Sequence, residues 1–85
     1  MALITGLVPG NQSVREHSSH VEMHVQRLLA QDGRPLLHVA TMGSKDRQSH
    51  PKTSQTLQFD ASSAALLIAE FVETFGPDVL PAQQA

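Results

Sequence analysis

The stretch from residue 54 to residue 77 constrains the fold of this chain more than any other part of it. Ser54-Gln55-Thr56-Leu57-Gln58-Phe59 alternates polar and apolar side chains, the period-two pattern of a half-buried strand. Leu57 and Phe59 then point to one side, with Gln55 on that side nearer the strand's beginning. One residue later the period changes. Ala64, Leu67, Ile68, Phe71 and Phe75 recur at helical spacing and form a single stripe. Asp60 stands where a helix N-cap is needed, its carboxylate able to accept from the free amides of the first turn. Gly76-Pro77 is the matching stop, because glycine tolerates a positive φ and proline cannot continue the ladder. The spacing predicts a helix over 61–75, fed directly by a strand. Leu66 and Val72 extend its apolar surface beyond the stripe.

Upstream, residues 36–42 form a second strand candidate, and Asp32-Gly33 is a hairpin signal of the type I′ kind. Residues 13–31 admit two readings. As a strand, 20–30 places Val21, Met23, Val25 and Leu29 on one face, with Arg27 as the exception. As a helix, Ser13-Val14-Arg15-Glu16 spells a capping box, and Val14, Val21, Val25 and Leu28 lie roughly on one face. The hairpin favours the strand, since it gives 36–42 a partner. Residues 2–8 offer a possible further strand. The expected fold is α+β, a small antiparallel sheet of three to four strands packed by one C-terminal helix. It forms a single domain over 1–76, followed by a flexible tail over 77–85.

A chain of 85 residues buries only about 60–65% of its unfolded surface, so its core is thin. With no cysteine, neither disulfides nor thiolate zinc can reinforce it. A thin core and free sheet edges both favour pairing with a second copy, and a homodimer is expected. Residues 1–10 lack the basic start of a secretory signal, and Gly6 and Pro9 interrupt their apolar run. The longest apolar run, 64–69, is too short to cross a bilayer. The expectation is a cytoplasmic protein with no membrane partner.

The most distinctive polar stretch is 43–54, which holds Lys45, Arg47 and Lys52 with a single acid, Asp46. Elsewhere the chain carries three basic residues against seven acidic ones. Basic side chains among glycine and hydroxyl groups suit an anion, and Arg47 has the geometry to hold an oxyanion bidentately. Arg34, Lys45, Arg47 and Lys52 are therefore the candidate nucleic-acid-binding residues. No P-loop spacing is present, and the net charge of −2 with no tyrosine or tryptophan runs against a general base-stacking binder. His20, Glu22 and His24 would share a strand face as a possible zinc set, but no H-E-x-x-H motif supports it, and no metal or cofactor is expected. Serines and histidines are plentiful, yet no G-x-S-x-G elbow fixes a nucleophile, so no catalytic residue is assigned.

Taken on Gly33, Lys45, Arg47, Leu57, Phe59 and the helix stripe, the order hairpin, basic loop, strand, long helix resembles β-β-β-β-α modules that bind single-stranded nucleic acid. The PUR-repeat, whirly and transcriptional-coactivator families are of this kind. The resemblance implies a dimer that presents a basic, aromatic-bearing sheet face to nucleic acid. This chain departs from those families in its acidic balance and its lack of tyrosine and tryptophan. The string Gly43-Ser44-x-x-Arg47 followed by Ser54-Gln55-x-Leu57-Gln58 is also similar to small bacterial proteins. The functional expectation is a small non-catalytic binding module, for nucleic acid through the basic loop, or alternatively for protein–protein interaction or homodimerisation.

Overall fold

Strand alternation before residue 42 and after residue 53 produces a four-stranded sheet, and the helical stripe produces one helix beside it. The computed structural model describes residues 1–42 and 53–82. In chain order the elements are β1 (Ala2–Ile4), β2 (Met23–Leu29), β3 (Pro35–Met42), β4 (Thr53–Phe59) and α1 (Ala61–Phe75), followed by a 3₁₀ turn, Pro77–Val79. The sheet order is β1-β4-β3-β2. The fold is α+β, a mostly antiparallel sheet packed by one C-terminal helix.

Within the contested segment, Met23–Leu29 is a strand, shorter than the expected 20–30, and residues 13–22 form neither helix nor strand. β2 pairs antiparallel with β3, from Met23 opposite Thr41 to Leu29 opposite Pro35, so the capping-box reading of 13–31 is set aside. The hairpin between them is not the two-residue I′ turn that Asp32-Gly33 advertises. A I′ turn needs positive φ at both central residues, and among the described residues no side-chain-bearing residue has one. Gly33 alone turns, at φ 90°. Gly33 N–H donates to the Ala30 carbonyl at 2.9 Å and Ala30 N–H to the Arg34 carbonyl at 2.8 Å. This is a three-residue loop, 31–33, whose last residue takes the positive φ. Asp32 instead uses its carboxylate, with Oδ1 accepting from the Arg34 N–H at 3.2 Å.

β3 pairs antiparallel with β4, with a register shift between Thr41 and Met42. β1 corrects the all-antiparallel expectation. It is three residues long rather than seven and lies parallel to β4, Ala2 opposite Leu57 and Ile4 opposite Phe59. The long segment between β1 and β2 allows the parallel direction, which a tight turn forbids.

α1 starts and stops at the expected residues. Its N-cap is a reciprocal capping box: Asp60 Oδ1 accepts from Ser63 N–H at 3.0 Å, and Ser63 Oγ accepts from Asp60 N–H at 3.2 Å. Gly76, at φ 90°, donates its N–H to the Val72 carbonyl at 2.8 Å. The tail begins with order that its composition did not announce. Val79 N–H reaches the Gly76 carbonyl and Leu80 N–H the Pro77 carbonyl, because proline is pre-set for the first position of a turn.

The well-buried apolar side chains among the described residues are Leu36, Val39 and Ala40. All three stand on β3, a strand with neighbours on both sides. α1 meets the sheet mainly at β4, the strand it leaves. Its buried residue is Ser63 of the capping box, not a member of the apolar stripe.

Candidate interaction surface

Register fixes which side chains share a face. Ala2, Leu57, Val39 and Val25 lie in one row across the four strands, and Ile4, Phe59, Leu37 and Arg27 in the next. Met23 and Leu29 extend the same face along β2. This face is apolar apart from Arg27, Thr41 and Gln55, as the alternation in 20–30 and 54–59 requires. Yet within one chain only Val39 of these two rows is buried, while Val25 is 53% and Leu57 40% exposed. The opposite face is more polar. His24, Ala40 and Thr56 form one row there, Gln26, His38, Gln58 and Leu3 the next, and Leu28 with Leu36 a third, so that the buried Leu36 and Ala40 belong to this side. The Gln58 side-chain amide lies 3.0 Å from His38 Nδ1, within hydrogen-bond distance.

The stripe on α1 is open as well. Ile68 is 49%, Phe71 45% and Phe75 67% exposed, and the last two rings stack on each other at 6.4 Å. Ala64, Leu67 and Val72 are half-buried. Leu66 does not widen this surface. At 3.6 residues per turn it stands about 160° around the helix from Ile68, between Glu70 and Glu73.

The helix packs on the sheet at β4, but the outer part of its stripe, Ile68, Phe71 and Phe75, stays open for a geometric reason. Helix–strand connections that fold back on a sheet span about 2–6 residues, and here the only residue between β4 and α1 is Asp60. Asp60 is also tied down. Its Oδ2 receives Arg34 Nη1 at 3.3 Å, while Arg34 Nε contacts Asp32 Oδ2 at 2.9 Å. The hairpin exit is thus pinned to the root of the helix, and Arg34, Pro35, Asp60, Ala61 and Ser62 line a shallow open cleft there. Both carboxyls sit below the ordinary aspartate value. The backbone N–H of Ser63 is the leading cause at Asp60, and the backbone N–H of Arg34 at Asp32, each helped by side-chain hydrogen bonds and the Arg34 charge.

Of the four residues expected to bind nucleic acid, Arg34 is engaged by two carboxylates, and Lys45, Arg47 and Lys52 lie outside the described residues. His24 stands on the polar sheet face, whereas His20 and Glu22 precede β2 and do not share its alternation. Among the described residues no three histidine, aspartate or glutamate side chains come together to hold a metal, and no helix is long and apolar enough to cross a membrane. Sequence reasoning missed the Arg34 bridge to Asp60. Its signal was the strand register: pairing Leu37 with Phe59 carries the hairpin exit alongside residue 60. No protein-family model, curated protein or solved structure matches the chain.

Proposed function

We propose that this chain is a small, non-catalytic binding module whose primary partner is a second copy of itself. The observation that carries this reading is the open apolar surface on both the sheet and the helix. The whole chain exposes 8037 Å², whereas a compact monomer of 9.2 kDa exposes about 4,900 Å². Residues 5–22, exposed throughout, carry part of that excess, and the open side chains of the sheet and of α1, among them Val25, Leu57, Ile68, Phe71 and Phe75, add to it. Open apolar patches of this extent mark interaction surfaces, and the sheet edge at β2, exposed throughout, adds a second means of pairing.

The reading is tested by chemical unfolding at a series of protein concentrations. An obligate dimer unfolds at a midpoint that rises with concentration, because association is part of its stability. A midpoint independent of concentration removes the reading.

Nucleic-acid binding through Lys45, Arg47 and Lys52 is the second reading, favoured by the concentration of half the chain's six basic side chains in one short stretch. Arg34 joins such a site only by leaving Asp32 and Asp60. Amide titration with a single-stranded oligonucleotide at low salt tests it. Salt-reversible shifts over residues 43–54 support it, and an unmoved loop ends it.

A further inference from the structure

We infer that the homodimer is built by reciprocal exchange of α1, the apolar stripe of each helix lying across the apolar sheet face of the other copy. This inference rests on the self-association proposed above and specifies its interface.

Three observations lead to it. The first is the junction. With Asp60 as the sole connecting residue, and that residue held by its own capping box and by Arg34, α1 meets its own sheet mainly at β4. Ile68, Phe71 and Phe75 of the stripe and Val25, Leu37 and Leu57 of the sheet stay exposed in the single chain. Short, rigid junctions of this kind send an element to a neighbour's surface in place of its own.

The second is fit. At about 1.5 Å per residue, the fifteen residues of α1 span about 22 Å. The seven of β4 and eight of β3 span about 23–27 Å. The helix length thus matches the strands it would cover, and a two-fold axis supplies one helix to each sheet. The exchange is closed: what one copy gives it also receives, and neither an open end nor a chain of copies results.

The third is chemical selectivity between the two sheet faces. The Val25–Leu57 side carries Val25, Leu37, Val39, Leu57 and Phe59, with Arg27, Thr41 and Gln55 as its polar members, whereas on the other side His24, Gln26, His38, Thr56 and Gln58 surround Leu36 and Ala40, which are already buried within one chain. Covering that second side with Ile68 and Phe71 would bury amides and imidazoles against hydrocarbon, which is costly without hydrogen-bond partners. Arg27 sits at the β2 edge of the apolar side, where its aliphatic stem packs and its guanidinium remains in water.

The test uses the unaltered protein. Dimers reassembled from equal parts of isotope-labelled and unlabelled chain are examined for nuclear Overhauser contacts that pass only between chains. The exchange predicts contacts from the Phe71 ring and Ile68 methyls of one chain to the Val25, Leu37 and Leu57 methyls of the other. Contacts between chains confined to Phe71 with Phe71 indicate helix-to-helix pairing, and contacts confined to Leu57 with Leu57 indicate sheet-to-sheet pairing. Either result overturns the exchange and leaves the dimer standing, as does a stripe-to-sheet contact found only within one chain. A monomer at spectroscopic concentration overturns both the exchange and the self-association beneath it.

Discussion

Arg34 Nη1 lies 3.3 Å from Asp60 Oδ2, joining the exit of the β2–β3 hairpin to the first residue before α1. Half of the Arg34 side chain is exposed, and exposed ion pairs contribute little on their own. Asp60 does more, because the same carboxylate caps the helix. Arg34→Met is therefore expected to move the thermal midpoint by no more than about 2 °C, and Asp60→Ala by about 4–8 °C, the usual effect of a lost N-cap in a domain of this size. Thermal scans at one fixed protein concentration compare the two.

The same carboxyls set the acid limb of stability. Asp32 and Asp60 are both held below the ordinary aspartate pKa, so the folded state binds fewer protons than the unfolded one in that range. Their contribution is complete above the ordinary aspartate pKa and is lost as pH falls through the lowered folded values. Stability is expected to decline between about pH 5 and pH 2. The double variant Asp32→Asn, Asp60→Asn keeps capping side chains but does not titrate, and flattens that decline. Urea unfolding at stepped pH measures the slope; an unchanged slope in the variant assigns the acid limb to other groups.

Gly33 holds φ 90° with nothing within 4 Å of the position a Cβ would take. Replacement therefore meets a conformational cost and no steric clash. Gly33→Ala is expected to lose about 1–2 kcal/mol, and Gly33→Asn less, since asparagine visits this region more readily. Equal losses for the two would show that the turn relaxes to another form.

On α1 the two apolar sides part company. Phe71→Ser removes a large exposed ring from the stripe and is expected to weaken self-association at least tenfold, as truncation of a central interface aromatic does. Leu66→Ser, across the helix beside Glu70 and Glu73, leaves it within about threefold, because exposed positions away from an interface contribute little. Dissociation constants from dilution series distinguish them. A greater effect at Leu66 than at Phe71 places the interface on the wrong side of the helix.

Local chemistry was the legible part of this sequence. Asp60 and Gly76 mark the ends of α1 where the sequence put them, the Ser63 half of the capping box went unread, and alternation in 54–59 fixes which face Leu57 and Phe59 share. The segment before Asp32 was ambiguous because Val21 and Val25 satisfy a helical spacing and a strand spacing at once. Only pairing with β3 decides it. The hairpin type was missed since Asp32-Gly33 fits either a two- or a three-residue loop, and the choice depends on where Leu29 meets Pro35. Least legible was the position of the stripe. Periodicity marks Phe71 and Phe75 as residues to be covered but carries no information on what covers them, and within one chain both stay exposed. The basic residues Lys45, Arg47 and Lys52 lie outside the described chain, so the nucleic-acid expectation rests on their grouping alone.

The central claim, that the open stripe and sheet face serve a second copy of this chain, is met most directly by sedimentation equilibrium at micromolar concentration and moderate salt. A single species of twice the 9.2 kDa chain mass is expected, unchanged when salt is raised, because the contact is apolar. A species of one chain mass across the accessible concentration range would contradict it.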